Sequence, residues 1–416
     1  MKLTFPASVR AALAVPLAAY AAGSLAAIAG AAVGHCFVPL ARVHPAASRD
    51  DFASGFAAWD GRWYARIVDE GYAYDPRRES SVAFFPTYPL LAALVRRATR
   101  MPTVWALLAV SHGSLLAALV LLAAYARGRF ADRRHPLGSI ACLAMGMFPT
   151  TFYFRMAYSE STFLALAILA MLGMQRRWPA IWIALMIGAA TATRAVGVAL
   201  LVPFAMYLWE LAKGEQFTSA LWRWPVSMAR LVLLVGLSCW GILAYMAYLE
   251  WRFDEPFAFV QAQSHWHQTV VHHDYLLGRA ARLLTFSPAR DVYDSGSRCY
   301  WALYPPKHAA LSMLFANPIY FGLSATLVLW GAKKRWLNAR EAAFSLALLL
   351  IPYVLKGDDT CMASQARFAS VVFPVYLVMG RLLSSLPAAA TVLLAAGSAA
   401  LVSVYSALFV SWYWFW

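Results

Sequence analysis

One short stretch gathers the residue types that acid–base chemistry uses. Trp59-Asp60-Gly61-Arg62-Trp63-Tyr64-Ala65-Arg66-Ile67-Val68-Asp69-Glu70-Gly71-Tyr72 is aromatic, acidic and punctuated by glycine. Trp59, Trp63, Ile67 and Val68 recur at helical spacing, which predicts a short helix lying with one apolar face in a membrane interface. Asp60 opens that helix, and a carboxylate there has two uses. It caps the helix N-terminus, or, held at a membrane surface above an apolar cavity, it accepts a proton from an attacking hydroxyl. Glu160 stands where another apolar run begins. It would bind an acceptor, organise Arg155, or cap its own helix. Further on, His265, His267, His272 and His273 crowd one polar stretch. An i, i+2 histidine pair can bind metal but has no third fixed ligand here. His265 and His267 read better as phosphate or sugar contacts, with plain loop residues as the alternative. Asp358-Asp359 near Lys356 offers a metal-like pair, against which a solvated turn is the simpler reading. No metal-ligating residues are predicted and no cofactor is required, while a divalent metal stays open without a residue pattern that supports it.

These residues need a scaffold, and composition says which kind. The chain has 416 residues, 62% hydrophobic and only 13% charged, with a mean hydropathy of +0.58. Ordinary globular chains run nearer half apolar and a quarter charged. Apolar runs of bilayer length recur, so the expected fold class is an all-α polytopic membrane protein forming a single transmembrane domain over 1–416. The first apolar run, about 11–33, follows Lys2 and Arg10 and exceeds a signal-peptide core, so it is predicted as an uncleaved span. The net charge of +15 does not point to nucleic acid. The basic residues sit in short clusters between apolar runs, as positive-inside topology and anionic lipid demand.

Those clusters orient the chain: Arg127 to Arg134, Arg176-Arg177, Lys213 to Arg230, Lys333 to Arg340, and Arg381. Placing them in the cytoplasm predicts spans at 11–33, 103–125, 136–153, 158–174, 178–193, 195–211, 227–250, 309–331, 341–356, 366–382 and 387–410. The expectation is a bundle of about 11 transmembrane helices, N-terminus cytoplasmic and C-terminus outside. Two large extracytoplasmic loops result, 34–101 with Asp60 and 251–307 with the histidines. The apolar stretch 83–95 would invert everything after it if it crossed. It begins Phe84-Phe85-Pro86-Thr87-Tyr88-Pro89, so it is predicted as an interfacial or re-entrant helix. Cys142 and Cys239 fall in apolar runs, whereas Cys299 and Cys361 fall in outer loops where a disulfide could survive. Pairing and free thiols both stay open for those two.

The segment Trp59 to Tyr72, followed by Ala83 to Pro89, resembles the PIG-V-type mannosyltransferases. These transfer the second mannose of GPI anchors and have bacterial relatives, within the polytopic GT-C glycosyltransferases. Further pieces follow in order: Tyr158-Ser159-Glu160-Ser161-Thr162-Phe163, Thr193-Arg194-x-x-Gly197, Pro256 to Gln263 with Trp266, and Ser364-x-x-Arg367-Phe368 with Phe373-Pro374. Together they cover about residues 59–374. Eukaryotic members usually place a histidine where this chain has Trp63, while bacterial relatives tend to carry the aromatic pair seen here as Trp63-Tyr64, so the resemblance points to the bacterial branch and to a bacterial inner membrane. It implies a GT-C-like bundle and an inverting transfer of a hexose, mannose by family usage, from a polyprenyl-phosphate donor on the extracytoplasmic face. The acceptor is not implied. Asp60 would be the general base. Arg194 and Arg367, at predicted outer span ends, would bind the donor phosphate, with His265 and His267 as further contacts. Snorkelling from a span end is the plainer use of either arginine. Trp59, Tyr64, Glu160 and Gln263 would bind substrate. The competing reading is a transporter or flippase of a lipid-linked sugar, which predicts charges paired in mid-span and broken helices in repeat positions.

Overall fold

The computed structural model describes residues 7–41, 47, 51–130, 137–215, 224–265 and 276–413. Among the described residues the fold is all-helical. In chain order the helices are α1 (Ala7–Phe37), α2 (Asp60–Glu70), α3 (Thr87–Thr99), α4 (Thr103–Arg129), α5 (Leu137–Met147), α6 (Glu160–Gln175), α7 (Ala180–Thr191), α8 (Leu201–Glu215) and α9 (Trp224–Leu237). Then come α10 (Trp240–Phe253), α11 (Ala258–Ser264), α12 (Leu276–Leu284), α13 (Ser287–Asp291), α14 (Met313–Lys333), α15 (Ala339–Pro352), α16 (Gln365–Ser370), α17 (Pro374–Ser384) and α18 (Ala388–Val410).

Five described helices are long and apolar enough to cross a bilayer: Leu13–Phe37, Thr103–Arg129, Ala195–Lys213, Met313–Lys333 and Ala388–Val410. A sixth span is available if α5 and the following turn Pro149–Arg155, bent by 75°, count as one. The expected eleven continuous helices are thus not what length and composition support, and the reason is local. Pro149 has no N–H to donate and forces Phe148 into extended backbone, which breaks the expected span 136–153. The run 227–250 divides at Ser238-Cys239, where the Cys239 N–H closes a tight turn onto the Gly236 carbonyl (3.0 Å). The run 366–382 divides before Pro374, which opens α17. α7 has 12 residues, about 18 Å of helix against a hydrocarbon core of about 30 Å.

α1 packs along α18, α4 along α6, and α5 along α17. The first pair is close because Gly30 allows it: a Cβ there would lie 2.0 Å from the Ser403 carbonyl oxygen. α3 spans 13 residues, about 20 Å, too short to cross. It buries Tyr88 and Ala92 and exposes Leu90, Leu91 and Leu94, the two-faced pattern expected of 83–95. The Tyr88 hydroxyl donates to the Leu107 carbonyl (3.0 Å) and ties α3 to α4.

Candidate functional site

The site begins at the first residue of α2. Trp59, just before it, takes a left-handed φ of 58°, a conformation that costs energy in a bulky residue and is held by its surroundings. Gly61 follows, and a Cβ there would lie 3.3 Å from the Ala57 Cβ and 3.4 Å from the Ala157 carbonyl oxygen. α2 therefore starts pressed against the segment before α6. The buried face of α2 is Gly61, Tyr64 and Ile67. Trp63 and Val68 are only half-buried, so the apolar stripe read from the sequence is rotated. Asp60 does not cap the helix. Its Oδ2 accepts from Arg367 Nη1 at 2.5 Å, and its backbone N–H donates to the Tyr158 hydroxyl (3.3 Å).

Tyr158-Ser159-Glu160 enters α6 directly beneath. Glu160 is fully buried and accepts from Arg194 Nη1 at 2.5 Å and from Arg367 Nε. Its other oxygen, Oε2, is buried with no hydrogen-bond partner among the described residues. It does not organise Arg155, whose guanidinium donates to the carbonyls of Gly146 (2.7 Å) and Thr151 (3.0 Å) and to Ser24 Oγ (3.2 Å). Ser159 Oγ accepts from the Tyr64 hydroxyl (2.8 Å) and from Arg194 Nη1 (3.2 Å). Burial pushes the Tyr64 hydroxyl up to about 12, against the pull of Arg194, so it remains a donor at neutral pH.

The arginines arrive from opposite directions. Arg194 is extended (φ −157°, ψ 143°) at the end of α7. Gly197, in the same motif, lets the chain fold back on α7, since a Cβ there would lie 2.7 Å from the Ala190 backbone. Arg367 is delivered by the short helix α16, which opens on Ser364 in left-handed backbone (φ 61°). Its guanidinium carbon sits 4.4 Å from the centroid of the Tyr158 ring, a cation–π contact. The result is one alternating chain of charges, Arg194–Glu160–Arg367–Asp60.

This chain borders a cavity of about 890 Å³, within the usual range for a site that encloses a small ligand. Its walls are largely apolar, with Phe84, Phe85, Val196, Ile242, Phe259 and Leu314 among them. Its charged lining residues are Asp60, Arg194, Arg298, Lys356 and Arg367. Trp59 and Tyr64 also line it, and Trp59 packs on Trp412 with ring centroids 5.2 Å apart. Gln263 lines it too, donating to the Ala83 carbonyl (3.2 Å) and accepting from Lys356 Nζ. Glu160 lies behind the lining and reaches the cavity only through the two arginines it holds.

Two histidine expectations fare differently. His265 is exposed and outside the cavity lining; its Nε2–H donates to the Pro76 carbonyl (3.0 Å) and fixes a turn of the first loop. His267 lies outside the described residues. The Asp358-Asp359 pair is neither a metal pair nor a solvated turn. Asp358 is 3% exposed and accepts from Arg282 Nη2 (2.8 Å), while Asp359 accepts from Arg279 Nη2 (3.0 Å). Both anchor α12. Among the described residues no group of His, Cys, Asp or Glu is arranged to hold a metal ion. Cys299 and Cys361 form a disulfide, and both line the cavity.

Sequence reasoning passed over three lining residues. Lys356 was read only as a neighbour of an aspartate pair, although a lysine ending an apolar run was the available signal. Tyr158 was read as motif spacing, yet it takes the Asp60 N–H and underlies Arg367. Arg298 carried no signal beyond its place next to Cys299.

No protein-family model matches the chain, and no curated protein matches it. Among solved structures, it is similar to the Archaeoglobus fulgidus oligosaccharyltransferase in the apo form, at 13% identity and a TM-score of 0.44, covering 95% of this chain and 56% of that one. It is also similar to the archaeal oligosaccharyltransferase AglB from Archaeoglobus fulgidus in complex with an inhibitory peptide and a dolichol-phosphate. There the identity is 12% and the TM-score 0.41, with 95% of this chain and 56% of that one covered. The chain thus spans about half the length of these structures.

Proposed function

We propose that this chain is an inverting membrane glycosyltransferase. It moves a hexose, mannose by the resemblance of its motifs, from a polyprenyl-phosphate donor to an acceptor hydroxyl on the extracytoplasmic face of a bacterial inner membrane. One observation carries the reading: a carboxylate and several cations converge on a cavity whose other walls are apolar. An amphiphilic phosphate ester has the matching chemistry, with a greasy tail for the walls and an anion for the cations. Only one carboxylate lines the cavity among the described residues, which suits a single displacement with one base rather than a double displacement with a nucleophile and an acid.

In that displacement the acceptor oxygen attacks the anomeric carbon and hands its proton to Asp60. The bond from that carbon to the phosphate oxygen breaks, and the electron pair leaves with polyprenyl phosphate. Asp60 Oδ2 is held by Arg367, and Oδ1 has no protein partner among the described residues, so it is the oxygen open to an acceptor. Arg194 and Arg367 offer planar N–H groups to phosphate oxygens, while Glu160 fixes both guanidinium groups from behind. Trp59, Tyr64 and Gln263 would border the sugar and acceptor.

The test uses the purified protein in nanodiscs with radiolabelled polyprenyl-phosphate mannose and a membrane extract as acceptor source. Label should pass to a product no longer linked to polyprenyl phosphate, and Asp60→Asn should slow this by ~100-fold or more with an unchanged unfolding temperature. Full transfer by Asp60→Asn would remove Asp60 as the base. Movement of the intact lipid across the bilayer with no bond broken would favour the flippase.

A further inference from the structure

The cations of the cavity fall into two groups. Arg194 and Arg367 are already answered, because Glu160 accepts from both and Asp60 accepts from Arg367. Those guanidinium groups and carboxylates cancel. Lys356 and Arg298 do not cancel. Lys356 donates only to a neutral amide oxygen, that of Gln263, among the described residues. The acidic residues nearest it in sequence are occupied elsewhere: Asp358 by Arg282 and Asp359 by Arg279. Arg298 lines the same cavity and makes no hydrogen bond or ion pair among the described residues.

Lys356 is also partly buried, in a wall that includes Ile351, Pro352 and Leu355. A cation in such surroundings with no carboxylate in contact, where the charge of Asp60 is opposed by those of Arg367 and Arg194, carries an electrostatic cost that a bound anion removes. The Cys299–Cys361 disulfide brings its partner to the same wall. It joins the residue after Arg298 to the turn that follows Lys356, with Cα atoms 5.2 Å apart across 62 residues of chain.

We propose that Lys356 and Arg298 supply the net positive charge of the cavity's anion subsite and take the phosphate of an amphiphilic phosphate ester beside the N–H groups of Arg194 and Arg367, whose own charge Glu160 and Asp60 already answer. This rests on the transferase reading for the identity of the tail, but not for the phosphate. A phosphate monoester carries up to about two negative charges at neutral pH, which two unanswered cations match, whereas a diester carries a single charge. The subsite therefore favours the phosphate as it leaves the sugar, and Lys356 and Arg298 stabilise the charge that develops on it.

Binding of farnesyl phosphate and of farnesol to the nanodisc-embedded protein tests this by thermophoresis. Farnesyl phosphate should bind and farnesol should bind more weakly. Lys356→Gln should weaken farnesyl phosphate by about tenfold or more and leave farnesol unchanged. Lys356→Arg should restore affinity, which separates charge loss from misfolding, and Arg298→Gln should weaken it to a lesser degree. Unchanged farnesyl phosphate affinity in Lys356→Gln would overturn the subsite, as would equal binding of farnesol by the wild-type protein. Inorganic phosphate competing with the same affinity as farnesyl phosphate would make this a free-anion site and overturn the amphiphile. The transferase reading fails separately. Binding that depends on Lys356 without any sugar transfer leaves the subsite standing, and transfer with an unchanged donor kcat/KM in Lys356→Gln leaves the transferase standing without it.

Discussion

Two buried glutamates of this protein hold arginines, Glu341 one and Glu160 two, and they are built in opposite ways. Glu341 and Glu160 both have fully buried side chains. Glu341 opens α15 in a reciprocal capping box with Asn338. Its Oε1 accepts from the Tyr125 hydroxyl (2.7 Å) and Arg129 Nε (3.1 Å), and its Oε2 accepts from the Asn338 N–H (2.6 Å). Both oxygens are used, and nothing near Glu341 lines the cavity. Glu160 instead takes two guanidinium groups on Oε1 and leaves Oε2 buried without a partner among the described residues. A saturated network fixes a helix start, whereas one with unspent capacity beside a cavity is arranged for something besides stability.

That contrast can be broken directly. Glu160→Gln should produce the largest effect, a fall in transfer rate of ~100-fold at saturating donor, because both arginines lose the charge that aims them. Glu341→Gln should leave the rate per folded molecule unchanged and lower stability instead, by about 1–3 kcal/mol. Thermal unfolding and kcat measured on the same nanodisc preparations separate the two. A Glu341→Gln protein as slow as Glu160→Gln would end the distinction. A smaller effect follows from the disulfide. Serine at both Cys299 and Cys361 should lower kcat/KM for the donor severalfold, because the placement of Arg298 against the departing phosphate relaxes. An unchanged kcat/KM, or a loss that persists in an Arg298→Gln background, would show that the bond does not act through Arg298.

The parts of this site legible in the sequence were those with strong local chemistry. Helical spacing after Asp60, the run of prolines and aromatics at Phe84–Pro89, and the arginines in Thr193-Arg194 and Ser364-x-x-Arg367 each announced a residue that lines the cavity or abuts it. What the sequence could not convey was pairing. Whether Asp60 capped a helix or met a cation depended on α16, which lies about 300 residues away. The same limit hid the neutralisation of Arg194 and Arg367, and with it the different standing of Lys356. Span continuity was overestimated for another reason. Hydropathy averages over a window, whereas Pro149, the Ser238-Cys239 turn and Pro374 break the backbone at single positions.

The smallest effect tests whether the exposed first loop is electrically part of the site. Glu79 lies in that loop, outside the helices. Burial holds its carboxyl above the ordinary value of 4.5, the negative charge of Asp60 raises it further, and His265 opposes both. A raised carboxyl binds its proton more tightly in the folded than in the unfolded state. Its contribution to stability is therefore fully present below the ordinary value and is lost as pH rises through the folded value. The unfolding temperature of the wild-type protein should decline slightly over the window just above pH 4.5, and Glu79→Gln should flatten that decline. The Asp60 link makes the sharper experiment. Asp60→Asn removes the charge that lifts Glu79, so the carboxyl resonance of a labelled Glu79 should titrate at a lower pH in that variant. A titration that does not move would separate the loop from the base and leave Asp60 facing only the cations of the bundle.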